Sequence, residues 1–110
     1  MRKFEKEFNY TDRNYLIERC AALPRQIEKK FKNAVAYHTE STCFGMSNYI
    51  NIEKQDNDGE YIDSIDIRIS DHAPTGSGSP CDSYIYIQDK TWMEVKREIL
   101  DVVENFMRAE

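Results

Sequence analysis

From Ser64 to Ser70 the sequence alternates without a break. Ile65, Ile67 and Ile69 fall on one side of an extended chain, and Ser64, Asp66, Arg68 and Ser70 fall on the other. Only a β-strand, with its side-chain period of two, separates those two sets cleanly. A strand that is apolar on one face only belongs to a sheet with one covered face and one face turned to water. The rest of the chain must therefore supply further strands and a cover for the isoleucines.

The cover is legible at both ends. Thr91 followed by Glu94 three residues later reads as a capping box, and Trp92, Val95, Ile99, Val102, Val103 and Phe106 behind it form one apolar helical stripe. Nearer the start, Thr11 or Asp12 suits a helix cap, and Tyr15, Leu16, Cys20, Leu23, Ile27 and Phe31 recur at steps of three and four. Pro24 interrupts this stripe, which predicts a kink, or two short helices with Pro24 in the first turn of the second. Lys29, Lys30 and Lys32 suit the last turn, where cations complement the helix dipole. Both stripes read as core rather than as ligand sites. Residues 1–8 fit either an extra edge strand or an extension of this helix.

Between the helices the period is two. Residues 35–41, 47–54, 61–70 and 83–88 read as four strands, and Asp58-Gly59 within residues 55–59 is a hairpin signal. Sequential strands joined by turns predict an α+β domain: a four-stranded antiparallel sheet in α-β-β-β-β-α order, with both helices on one face. One domain over residues 1–110 suits the length.

Strand parity locates a candidate site. With Ile50, Ile52, Ile65, Ile67, Ile69, Ile85 and Ile87 turned to the helices, the opposite face carries Tyr49, Asn51, Glu53, Asp66, Arg68, Ser70, Tyr84, Tyr86 and Gln88, with His72 continuing the series. Tyrosine rings stack on planar groups. An arginine clamps phosphate or carboxylate in bidentate fashion, and Asn51, Asp66 and Ser70 suit sugar hydroxyls or base edges. A one-sided sheet also needs a polar, strand-favouring outer face, and the same residues meet that need.

The segment at residues 71–82, DHAPTGSGSPCD, is long for a hairpin loop. Thr75, Ser77 and their glycine neighbours could offer N–H and hydroxyl donors to an anion. It is not a P-loop, lacking both the Gly-Lys-Ser/Thr ending and a following helix. Asp71 and Asp82 would oppose an anion unless Arg68 compensates. The two readings are a flexible connection and a flap over a ligand or partner.

Composition narrows the classes. A net charge of −5 disfavours a freestanding nucleic-acid binder, and the 15 basic residues interleaved with 20 acidic ones argue against a nucleic-acid mimic. Three cysteines without a CxxC pair do not make a disulfide framework. No apolar run approaches the ~18 residues of a membrane span and no signal peptide opens the chain, so the expected compartment is the cytoplasm. His38, Cys43, His72 and Cys81 are zinc-ligand types at unusual spacings. Cys81 with His72 could be drawn as a nucleophile pair, yet nothing in the sequence orients the histidine. Asp63 and Asp66 have opposite parity and do not face each other. The expectation is a protein that is not an enzyme and needs no cofactor, with a small metal- or thiol-dependent enzyme as the alternative.

The segment Ile67-Arg68-Ile69-Ser70-Asp71-His72, closing a strand and entering a polar loop, looks like a strand end found in small phage-encoded proteins. The acidic, tyrosine-rich outline resembles proteins that phages use against bacterial defence. Within that group it is similar in kind to the Thoeris anti-defence sponges, which sequester cyclic ADP-ribose-type signals, and to anti-CRISPR proteins, which block an effector by contact. The resemblance implies a non-enzymatic binder of a small nucleotide-like signal or of a host defence protein, with Arg68 as the clamping residue. A domain this small cannot enclose a ligand alone, and a twofold homo-oligomer would supply the missing wall.

Overall fold

The computed structural model describes residues 13–40, 47–70, 82–87 and 89–109. Along the chain run α1 (Arg13–Lys30), β1 (Ala34–Glu40), β2 (Ser47–Gln55), β3 (Tyr61–Ser70), β4 (Ser83–Tyr86) and α2 (Trp92–Arg108). The α+β class and the element order are those that periodicity predicts.

Pro24 does not divide the first helix. A proline inside a helix removes one backbone hydrogen bond, and α1 nevertheless runs unbroken through it. Packing compensates: Cys20, Leu23 and Ile27 are fully buried on the face turned to the sheet. The Thr11 and Asp12 caps lie outside the described residues.

The strands stand in the order β1-β2-β3-β4. The first three are antiparallel neighbours, with Ile50 opposite Ile67 and Ile52 opposite Ile65. Gly59, at φ +85, closes the β2–β3 turn, where the Asp56 N–H donates to the Glu60 carbonyl at 2.8 Å. Only glycine enters that backbone region without strain.

The last strand corrects the expectation of an all-antiparallel meander. β4 pairs with β3 in parallel, with Ile67 opposite Ser83 and Ser70 opposite Tyr86, so the sheet is mixed. A parallel neighbour requires the chain to return the length of the pairing before it re-enters the sheet, and such crossovers need about a dozen residues. Residues 71–82 supply that length. The feature that made the segment too long for a hairpin is the one that permits a crossover. The Asp82 N–H donates to the Asp66 carbonyl at 2.9 Å, and the Ile87 N–H donates to the Ser70 carbonyl at 3.0 Å, fixing both ends of β4.

One core cluster joins Cys20, Leu23 and Ile27 of α1 with the six isoleucines at 50, 52, 67, 69, 85 and 87 and with Val95, Ile99 and Val103 of α2. Both helices therefore cover the same face. The second is anchored at each end. At its start the capping box is complete: the Glu94 N–H donates to Thr91 Oγ1, and the Thr91 N–H donates to Glu94 Oε1, both at 3.1 Å. At its end Lys54 Nζ of β2 donates to the carbonyls of Phe106 and Ala109, placing a cation on the negative pole of the helix.

The hydrogen bonds from the Thr91 backbone and side chain hold the Glu94 carboxyl below its ordinary pKa. A depressed folded-state pKa stabilises above the unfolded value and is lost as pH falls through the folded one. Thr91→Ala is expected to cost about 1 kcal/mol in urea unfolding at pH 7. The difference from the parent should narrow as Glu94 is protonated.

Candidate functional site

The register lines up the residues on the face opposite the helices. Tyr49 is the β2 partner of Arg68, and Tyr84 is its β4 partner. The Arg68 guanidinium lies over the Tyr84 ring, 5.3 Å from its centroid. This is the geometry of a cation–π contact. Tyrosine, arginine and tyrosine thus form one row across three strands, each half-buried.

One step along the strands, Asn51 and Asp66 form a second row, which Thr39, the β1 partner of Tyr49, joins diagonally by a hydrogen bond. Thr39 Oγ1 donates to Asn51 Oδ1 at 3.2 Å, and Asn51 Nδ2 donates to Asp66 Oδ1. The amide of Asn51 uses its oxygen on one neighbour and its nitrogen on the other, so its orientation is set by the network. Asp66 is also held through its backbone, whose N–H donates to Asp82 Oδ2 at 2.8 Å. The result is a carboxylate of fixed orientation beside the arginine row. A preoriented acceptor of this kind loses little entropy when it meets a donor.

Parity placed Tyr49, Asn51, Asp66, Arg68, Tyr84 and Tyr86 correctly on this face. Ser70 shares the face but is fully buried, not exposed. It lies between Ser47 and Tyr86 in the register. Parity reports which side of a sheet a residue faces, not its depth, and a serine flanked by a tyrosine offers no surface of its own. His72, Thr75 and Ser77 lie outside the described residues, as do Cys43, Cys81 and the side chain of Gln88.

Two residues of the face escaped the sequence reading. Tyr37, opposite Asn51, is 53 % exposed, and Thr39, opposite Tyr49, donates diagonally to Asn51. Their signal was the same alternation, carried on through Val35, Tyr37 and Thr39 of β1. Asp82 also acts here, through a side-chain bond to a backbone N–H that spacing does not reveal.

Of His38, Cys43, His72 and Cys81, only His38 lies among the described residues, and it is committed elsewhere. His38 Nε2 is 2.7 Å from Oδ1 of Asn48, a buried polar residue on the helix-covered face. Burial of Cys20 pushes its thiol up to about 12, which leaves it a neutral core side chain rather than a nucleophile. Among the described residues no three of His, Cys, Asp and Glu gather as a metal site, and no helix is long and apolar enough to cross a membrane. Comparison with protein-family models, with curated proteins and with solved structures finds no match.

Proposed function

We propose that this chain acts by binding rather than by catalysis, and that its open sheet face takes a small, planar, anionic ligand of nucleotide type. The observation that carries the reading is the Tyr49–Arg68–Tyr84 row, with the guanidinium held over one ring. Ring faces stack on a base. A planar guanidinium meets a phosphate with two parallel N–H bonds, and Asp66, oriented by Asn51, accepts from ribose hydroxyls or an exocyclic amine. A net charge of −5 repels a long polyanion but leaves room for a ligand that needs one local cation.

The biological setting follows from the resemblance of the segment at residues 67–72: a phage anti-defence protein in the host cytoplasm, sequestering a nucleotide-derived immune signal. A twofold oligomer would close the face over the ligand. A second reading, an anti-CRISPR-type inhibitor that binds a defence effector directly, is favoured by Tyr37, Tyr61 and Ile62, all more than half exposed.

Isothermal titration with cyclic nucleotides and ADP-ribose derivatives tests the first reading. Binding is expected for at least one of them, weakened roughly 10- to 100-fold in Arg68→Ala, the range for losing a charge-assisted hydrogen bond. Absence of heat from all of them, with a stoichiometric complex captured on a purified defence effector, would transfer the assignment to the second reading.

A further inference from the structure

Among the described residues, three backbone N–H groups of β1 and β3 that no strand takes are taken by carboxylates. On β1 the Ala36 N–H donates to Glu28 Oε2 of α1 at 2.9 Å. On β3 the Ser64 N–H donates to Asp63 Oδ1 at 2.8 Å, and the Asp66 N–H donates to Asp82 Oδ2 at 2.8 Å.

These groups do face outward. Among the described residues only β2 lies beside β1, so an Ala36 N–H bonded to α1 points away from it. Asp66 exchanges both of its backbone groups with Asp82, on the β4 side. Ser64, two residues earlier, faces the same way, but β4 pairs only from Ile67 onward. Among the described residues, nothing pairs with Tyr61–Ile65 of β3 on that side. This stretch carries Tyr61 at 60 % exposure and Ile62 at 51 %. A strand rich in isoleucine and tyrosine with an open edge is a template for pairing with another chain.

We propose that Glu28, Asp63 and Asp82 act as edge guards, keeping a second copy of this chain from adding its strand to either side of the sheet. A carboxylate makes a stronger bond to an N–H than a neutral carbonyl does, so an incoming strand must displace the better acceptor. It must also bring its own carbonyl oxygens against a negative charge. The three guards come from a helix, a strand and the crossover, so one kind of contact is reached from three separate elements. The intruder is the chain's own β3, whose alternating sequence matches the edge it would meet.

The test is the combined variant Glu28→Ala, Asp63→Ala, Asp82→Ala, compared with Glu18→Ala, Asp58→Ala, Asp101→Ala. The second removes the same three charges from positions that hold no edge N–H. Sedimentation velocity over a concentration series is expected to show the first variant associating at concentrations at least tenfold lower than the second. Amide exchange should show Ala36, Ser64 or Asp66 newly protected in the associated form. Equal association of the two variants would reduce the effect to net charge and overturn the proposal. A monomeric guard variant, or association without protection at those amides, would do the same. If the combined variant loses its far-ultraviolet dichroism, the single Asp63→Ala change, at an exposed residue, carries the same comparison against Asp58→Ala.

Discussion

Replacing Ile67 by alanine is expected to destabilise the protein by about 3–4 kcal/mol, within the range for truncating a buried isoleucine. Ile67 sits on the second of the two inner strands, opposite Ile50 on β2 and Ser83 on β4, and is fully buried beneath the helices. The lost methyl and methylene groups leave a cavity that sheet hydrogen bonds on both flanks prevent from collapsing. Against a total stability of ~5–15 kcal/mol for a domain of ordinary size, the change removes a large fraction. Urea unfolding followed by Trp92 fluorescence measures it. A loss below about 1 kcal/mol would mean that the core at Ile67 is far looser than its burial indicates.

The second large effect concerns the crossover. Substituting Asn-Gly for residues 71–82 supplies a favoured hairpin turn and is expected to destroy the β3–β4 pairing. Ser83 stands opposite Ile67, three positions back from Ser70, so the chain must return about 10 Å along the strand and step sideways as well. Three Cα steps reach ~11 Å only when fully extended, with nothing left for reversing direction. β4 would have to leave the sheet or turn antiparallel. Either outcome withdraws Ile85 and Ile87 from the core, at roughly 1.5–3 kcal/mol each, and moves the entry point of α2. A replacement of residues 72–81 by a Gly/Ser segment of equal length, keeping Asp82, is expected to retain the pairing. A backbone NOE between Ile67 and Ser83, partners in the parent, separates the cases, and its persistence in the Asn-Gly variant would contradict the expected loss of the parallel register.

Asp82 serves both the sheet edge and the crossover. It ends the crossover just before β4 and holds the Asp66 N–H, while Asp66 in turn accepts from Asn51. Shortening the crossover through Asp82 should therefore disturb the proposed ligand face as well as the edge. The equal-length replacement should leave Arg68 over Tyr84 and preserve whatever binding the parent shows.

What local order determines, the sequence by itself determined. The helices, the four strands, the Gly59 turn and the Thr91–Glu94 capping box follow from period, turn chemistry and cap spacing, each a matter of neighbours within a few residues. The side of the sheet occupied by Tyr49, Asn51, Asp66, Arg68, Tyr84 and Tyr86 follows from alternation alone. Tertiary structure decided the rest. Whether Pro24 breaks α1 depended on how much apolar surface packs around it. Whether β4 runs parallel or antiparallel depended on how far residues 71–82 must travel, and a strand's own pattern is the same in either direction. The depth of Ser70, the stacking of Arg68 on Tyr84 and the Glu28 and Asp82 contacts at the sheet edges depend on residues brought together from separate elements, whereas Asp63 holds the N–H of its own neighbour. The sheet first inferred from alternating isoleucines is present, but its direction at one edge and the chemistry of its open face were fixed by packing.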